Sequence, residues 1–155
     1  MVEFLEGLAE ALSPYVRALA WWHAVPQPPP SKLKGAPKAP PNRQSRMAAR
    51  LAAGGEPDLP ELDPSLAPVV AYLFDAGPTS AAGQHGSALS WADLQAWQAA
   101  AGIYLPPWQL RLLRRLSGEY LSESFIAEAW DAPPPWERDA DRAKVAAHVR
   151  KVLRG

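Results

Sequence analysis

Eighteen prolines divide the 155 residues of this chain into short segments and so limit the secondary structures that it can form. Proline donates no backbone hydrogen bond, and it therefore starts or ends a helix more readily than it continues one. Seven of the prolines lie in residues 26–41, PQPPPSKLKGAPKAPP, which also hold three lysines and almost no side chain suited to a core. We expect residues 26–42 to form an extended linker, partly of polyproline II character.

Apolar residues recur with a helical period in the segments between the prolines. In residues 1–25, the apolar residues recur at i, i+1, i+4 and i+8, which predicts an N-terminal helical segment; they are Phe4, Leu5, Leu8 and Leu12. Ser13-Pro14 is expected to interrupt this segment and to start a second helix, because serine is a good N-cap and proline suits the first helical position.

Three further helices are predicted before residue 103. Residues 43–53 are expected to form a basic helix, and a second helix runs from about Ala67 to Asp75. Ser90 and Asp93 have the spacing of a capping box that opens a third helix, and Gly102 closes it.

The clearest periodicity follows Pro106-Pro107. The apolar residues of this helix fall within about 140° of arc: Trp108, Leu112, Leu113, Leu116 and Tyr120. Ser117-Gly118 is expected to loosen the helix, and the triple proline at 133–135 is expected to stop it. A last helix then places valines on one stripe and bases in its final turns.

These patterns predict an all-α fold, because apolar and polar residues nowhere alternate over more than four positions between turn signals. The expected organisation has four parts. Residues 1–25 form an N-terminal helical segment, residues 26–42 the Pro/Lys-rich linker, residues 43–132 a small irregular helical domain, and residues 133–155 a basic C-terminal helix.

The formal net charge of zero is an average over unlike blocks. The charge is −2 over residues 1–25, +6 over residues 26–55, −6 over residues 56–110 and +2 over residues 111–155. Segregated charge of this kind either guides docking between segments or partners, or it belongs to a solvated linker and an acidic surface.

Composition argues against reactive chemistry. The chain has no cysteine, which excludes disulfides, thiolate nucleophiles and iron–sulfur clusters. His23, His85 and His148 are far apart in sequence and have no metal-ligand spacing. We therefore expect no catalytic residue, no metal and no cofactor. We also expect no targeting or membrane segment, since no basic leader and no apolar run of about 18 residues is present in the sequence.

Seven tryptophans are more than a small helical core needs, and tryptophan is enriched at the anchor points of protein interfaces. Trp130 and Trp136 lie on either side of the triple proline, and we expect these two to be the most exposed. The other tryptophans are candidates either for the core or for an interface.

Residues 45–121 contain a series of segments in a recognisable order: SRMAARLAA, EPDLPELDP, VVAYLF, GQHG, LSWADLQAWQAAAGIYLPPWQ and RLLRRLSGEYL. With these segments, this part of the chain resembles the tail assembly chaperones of long-tailed bacteriophages and prophages, which are encoded near the tape-measure protein. The resemblance covers about half of the chain and is most specific from Leu89 to Leu121.

This resemblance implies a non-catalytic protein of the host bacterial cytoplasm. Such a protein binds the tape-measure protein, helps to recruit tail-tube subunits and is missing from the finished particle. The resemblance implies no membrane partner, and it leaves open whether the protein associates with itself. The residues that we expect either in the core or in a client groove are Trp97, Leu105, Trp108, Leu112 and Leu116, and the candidates for partner binding also include Trp130 and Trp136.

Two other classes of function stay open at this point. The chain is alternatively a structural component of the phage tail or a host-interaction module. A nucleic-acid-binding helical protein is a further alternative, because Arg111, Arg114 and Arg115 form a stripe and residues 32–50 are basic. The zero net charge and the acidic middle of the chain argue against nucleic acid.

Overall fold

The structure, a computed structural model, describes residues 1–29, 31–32, 34–35, 42–83 and 85–154. These residues form six α-helices: α1 (Val2–His23), α2 (Arg46–Ala52), α3 (Ala67–Asp75), α4 (Trp91–Ala101), α5 (Pro107–Ala127) and α6 (Pro135–Arg154). A 3-10 turn at Pro64–Leu66 leads into α3, and one antiparallel bridge joins Ser80 to Ser87. The all-α prediction is confirmed. Much of the expected linker at 26–42 lies outside the described residues.

Helix α1 passes through Pro14 without a break, so the expected interruption at Ser13-Pro14 is wrong. Pro14 is exposed, whereas Leu12 and Val16 on either side of it are fully buried. The packing of these two residues stabilises one continuous helix, which offsets the hydrogen bond that proline cannot donate.

Helices α1 and α5 run side by side in the same direction. Near their first turns, the rings of Phe4 and Trp108 meet edge to face with centroids 5.5 Å apart. Near their last turns, His23 Nδ1 lies 2.9 Å from the hydroxyl of Tyr120. The core lies between them and is closed by apolar residues of α3 and α4; its buried members include Ala9, Leu12, Val16, Ala20, Val70, Leu73, Leu94, Leu112, Leu113 and Leu116.

The ends of α4 form as the sequence predicts. Ser90 Oγ accepts a hydrogen bond from the Asp93 amide, and the Asp93 carboxylate accepts one from the Ser90 amide, which completes the capping box. These hydrogen bonds from Ser90 lower the pKa of Asp93. Gly102 ends the helix with φ of +66°, a conformation that glycine adopts without strain.

Helix α5 is continuous through Ser117-Gly118, so the expected loosening is wrong. The Ser117 hydroxyl is fully buried, donates to the carbonyl of Pro78 at 2.7 Å and accepts from the amide of Leu89 at 2.8 Å. The serine therefore ties the loop between α3 and α4 to α5. The helix ends at Ala127, several residues before the triple proline that we expected to stop it.

The chain beyond the linker docks against both long helices. Arg46 donates hydrogen bonds to the carbonyls of Trp21, Ala127 and Ala129, and its guanidinium lies 4.6 Å from the centre of the Trp21 ring. The indole of Trp22 donates to the carbonyl of Asp58. The change of composition at residue 25 thus marks no boundary of the hydrophobic core.

We expect Leu116→Ala to lower the free energy of unfolding by about 2–5 kcal/mol, because Leu116 is fully buried between α1 and α5 and its removal leaves a cavity. Urea denaturation measures this change. Leu51→Ala is the matched control: Leu51 is exposed on α2, and its substitution should change stability by no more than about 0.5 kcal/mol. Equal effects of the two changes would contradict this core.

Candidate partner-binding surfaces

The structure separates the seven residues that the sequence singled out. Leu112 and Leu116 are core residues, so they reach a partner only if the core opens. The remaining α4 and α5 candidates, Trp97, Leu105 and Trp108, are half-buried and pack on the rim of the core. Trp97 also donates its indole N–H to the carboxylate of Asp75 at 2.7 Å.

The two tryptophans that flank the triple proline differ from each other. Trp130 is exposed, as we expected. The expected exposure of Trp136 is wrong: it is half-buried, because its ring packs edge to face against Trp21 with centroids 5.7 Å apart, and Trp91 is exposed instead. Of the seven tryptophans, only Trp22 is buried. The other indole rings are half-buried or exposed, and so lie at the boundary between core and solvent or beyond it.

The starts of α1 and α5, which meet at Phe4 and Trp108, are here called the apolar end; exposed apolar side chains there are Met1, Val2 and Phe4 of α1 and Tyr104 just before α5. Tyr104 is 86% exposed and Phe4 is 54% exposed, although Phe4 stacks on the half-buried Trp108. Sequence periodicity did not find this surface, because the exposure of Phe4 and Tyr104 depends on where α1 meets α5.

A shallow cleft of about 210 Å³ lies beside the apolar end. Its apolar floor comes from Val2 and Leu5 of α1 and Leu112 of α5, and charged side chains of Glu6, Arg111 and Arg115 complete the lining. The volume is below the roughly 300–1,000 Å³ typical of small-molecule sites, and the shape suits a protruding side chain of a protein.

The second half of α6 is a separate exposed surface, here called the free half of α6 and defined as residues 142–154. Its valines at 145, 149 and 152 recur on one stripe and are between 47% and 64% exposed. Among the described residues, only three side chains of α6 form hydrogen bonds, ion pairs or ring contacts with other elements: Trp136, Arg138 and Asp139. The helix is therefore anchored by its first turns.

A buried carboxylate holds those first turns in place. Glu123 of α5 is 2% exposed and accepts from Arg17 of α1 at 3.3 Å and from Arg138 of α6. Arg17 also donates to Asp139 of α6 at 2.8 Å. One acid on α5 thus joins three helices, and no local pattern predicts this role because its partners are distant in the chain.

A polar cleft of about 310 Å³ lies at the other end of the α1–α5 pair, lined by residues that include His23, Tyr120, Ser124 and Glu128. Burial lowers the pKa of His23 and raises the pKa of Tyr120 to about 12, so both are neutral at pH 7. Tyr120 and Ser124 are hydrogen-bonded within the protein, the serine to a backbone carbonyl. The arrangement supplies no activated nucleophile.

The described ranges hold neither a metal-binding group nor a membrane-spanning helix. These residues contain no group of three or more His, Asp or Glu placed to hold a metal ion. Among the same residues, no helix is both long and apolar enough to cross a bilayer. His85 is exposed in its loop, with its ring 6.2 Å from that of Phe125.

No protein-family model, curated protein or solved structure matches this chain.

We expect Glu123→Ala to destabilise the protein by about 3–5 kcal/mol, because it leaves the partly buried guanidinium groups of Arg17 and Arg138 without this partner. It should also increase hydrogen exchange in α6. Asp141→Ala is the control, since the ion pair of Asp141 with Lys144 is exposed and contributes at most about 0.5 kcal/mol. Unchanged α6 protection in Glu123→Ala would show that the carboxylate does not anchor the helix.

We expect the stability of the protein to fall as the pH drops below 6.5, in part because of His23. Its pKa is lower in the folded state than its ordinary value of 6.5, so the unfolded chain binds the proton first. This contribution is complete above pH 6.5 and is lost as the pH falls toward the lower folded-state pKa. His23→Gln should flatten the profile of unfolding free energy between pH 7 and pH 5, while the exposed control His85→Gln should leave it unchanged.

Proposed function

We propose that this protein is a non-catalytic tail assembly chaperone that binds a phage tape-measure protein in the host bacterial cytoplasm and helps to recruit tail-tube subunits. The observation that supports this proposal best is the apolar end. Large exposed apolar side chains occur at both helix starts that meet there, and exposed apolar surface is a feature of protein-binding sites.

The apolar end also links the resemblance to a surface. Leu105 and Trp108 belong to the segment that resembles tail assembly chaperones, and both lie half-buried at this end of the molecule. Phe4 packs on Trp108 from α1, which lies outside the resembling segment. The client surface that we propose is therefore completed by the N-terminal helix.

The chemistry of this surface fits an apolar helical client. Phe4, whose ring packs on Trp108, and the exposed Tyr104 are rigid aromatic side chains, and such residues supply much of the energy of protein recognition. The cleft beside them has an apolar floor and a charged rim, which suits an amphipathic helix laid across it.

Co-expression with the neighbouring tape-measure protein tests the proposal. We expect the wild-type chain to increase the soluble fraction of the tape-measure protein and to elute with it as a complex. The double variant Phe4→Ser/Tyr104→Ser should reduce the complex at least tenfold, because it removes the two aromatic anchors from the apolar end.

The matched control is Leu51→Ser, which removes from α2 an apolar side chain that is as exposed as Phe4. It should leave the complex intact. The chaperone proposal fails if the wild-type chain neither solubilises nor binds the tape-measure protein. Mass spectrometry of purified particles provides a second test: stoichiometric amounts of this protein in the virion would identify a structural subunit instead.

A further inference from the structure

The free half of α6 carries an apolar stripe that nothing in the described chain covers. At 100° per residue, Val145, Val149 and Val152 fall within about 60° of arc, and all three are exposed. Such a stripe on a helix of this length normally packs against another element.

Basic side chains border this stripe on one side. Lys144, His148 and Lys151 fall within about 60° of arc, next to the valines. Residues 142–154 hold five lysines and arginines and no acid, so the surface that covers this stripe should be acidic.

An acidic stripe of the same length, with its two intervals in the reverse order, lies on the first turns of α1. Glu3, Glu6 and Glu10 fall within about 60° of arc on the solvent side of the helix, and all three are exposed. In the described structure none of them forms an ion pair or a side-chain hydrogen bond. Val2, which is 71% exposed, borders this stripe and offers apolar contact.

The two stripes match in length. The first and last residues of each stripe are seven positions apart, from Glu3 to Glu10 and from Lys144 to Lys151, which is about 10.5 Å along a helix. Three carboxylates can therefore face two lysines and a histidine along one helix pair, with Val2 placed beside the valine stripe. The stripes do not meet within one chain, since both are exposed.

We propose that two copies of this chain form a symmetric dimer in which the free half of α6 of each copy packs on the first turns of α1 of the other. Every copy carries one basic stripe and one acidic stripe, so a two-fold axis satisfies both contacts at once and closes the assembly at two subunits. This proposal does not rest on the proposed function, because it requires no client. Val2 and Glu6 belong to both proposed surfaces, so a client and a second copy would compete for the first turns of α1.

The dimer should be sensitive to salt. Exposed ion pairs contribute little individually and are screened as ionic strength rises, so the dissociation constant should increase between 0.05 M and 0.5 M NaCl. The valine contacts are not screened, and they should maintain part of the association at high salt.

Sedimentation equilibrium of the purified full-length protein tests this dimer. We expect a mass close to twice 16.8 kDa for the wild-type chain at low salt. Lys144→Glu/Lys151→Glu and, separately, Glu3→Lys/Glu10→Lys should each give a monomer, because like charges then face each other. The variant that combines all four changes exchanges the two signs and should restore the dimer.

Matched charge reversals elsewhere control for net charge. Lys32→Glu/Arg43→Glu and Glu56→Lys/Glu61→Lys change the same number of charges at exposed positions and should remain dimeric. Circular dichroism checks that every variant stays helical. A wild-type monomer at all concentrations, or a dimer that both α1 and α6 reversals leave intact, would overturn the proposal. Closure of α6 onto α1 of its own chain would also give a monomer, and it would equally overturn the proposal.

Discussion

The packing of α1 along α5 is the contact on which the rest of the molecule depends. Leu12, Val16 and Ala20 of α1 are fully buried, and the α5 residues in the same core include Leu113 and Leu116. Their burial removes apolar surface from water and joins parts of the chain that lie about a hundred residues apart. The same contact brings Phe4 to Trp108 and Arg17 to Glu123, so both the apolar end and the anchor of α6 depend on it.

Features that depend on neighbours in sequence could be predicted. The helix over Ala67–Asp75 has the expected bounds, and the capping box at Ser90 and the end at Gly102 form as expected. Caps and glycine stops act within one turn of a helix, so a single stretch of sequence contains both partners. The all-α class follows from the same local patterns.

Features that depend on distant partners could not be predicted. Pro14 lies inside a helix because Leu12 and Val16 pack on α5, and Ser117 strengthens α5 because its hydroxyl meets Pro78 and Leu89. Glu123 has no local signature of its role as an anchor. Of the candidate site, the exposure of Trp130 was predicted, whereas Phe4 and Tyr104 could be identified only once α1 was seen to meet α5.

The charge blocks of the sequence are not paired as their signs suggest. All five ion pairs between described residues lie within or between residues 1–25 and 111–155. Arg46 of the basic block instead donates to backbone carbonyls, and Arg50 does so to the carbonyl of Glu56. Docking of the basic block is therefore achieved by hydrogen bonds to the main chain, and the carboxylates of the acidic block stay free of ion pairs with it in the described structure. The carboxylates of Asp63, Asp75 and Asp93 accept hydrogen bonds within the fold, but in the described structure no cation neutralises them, so their charge is available to a partner.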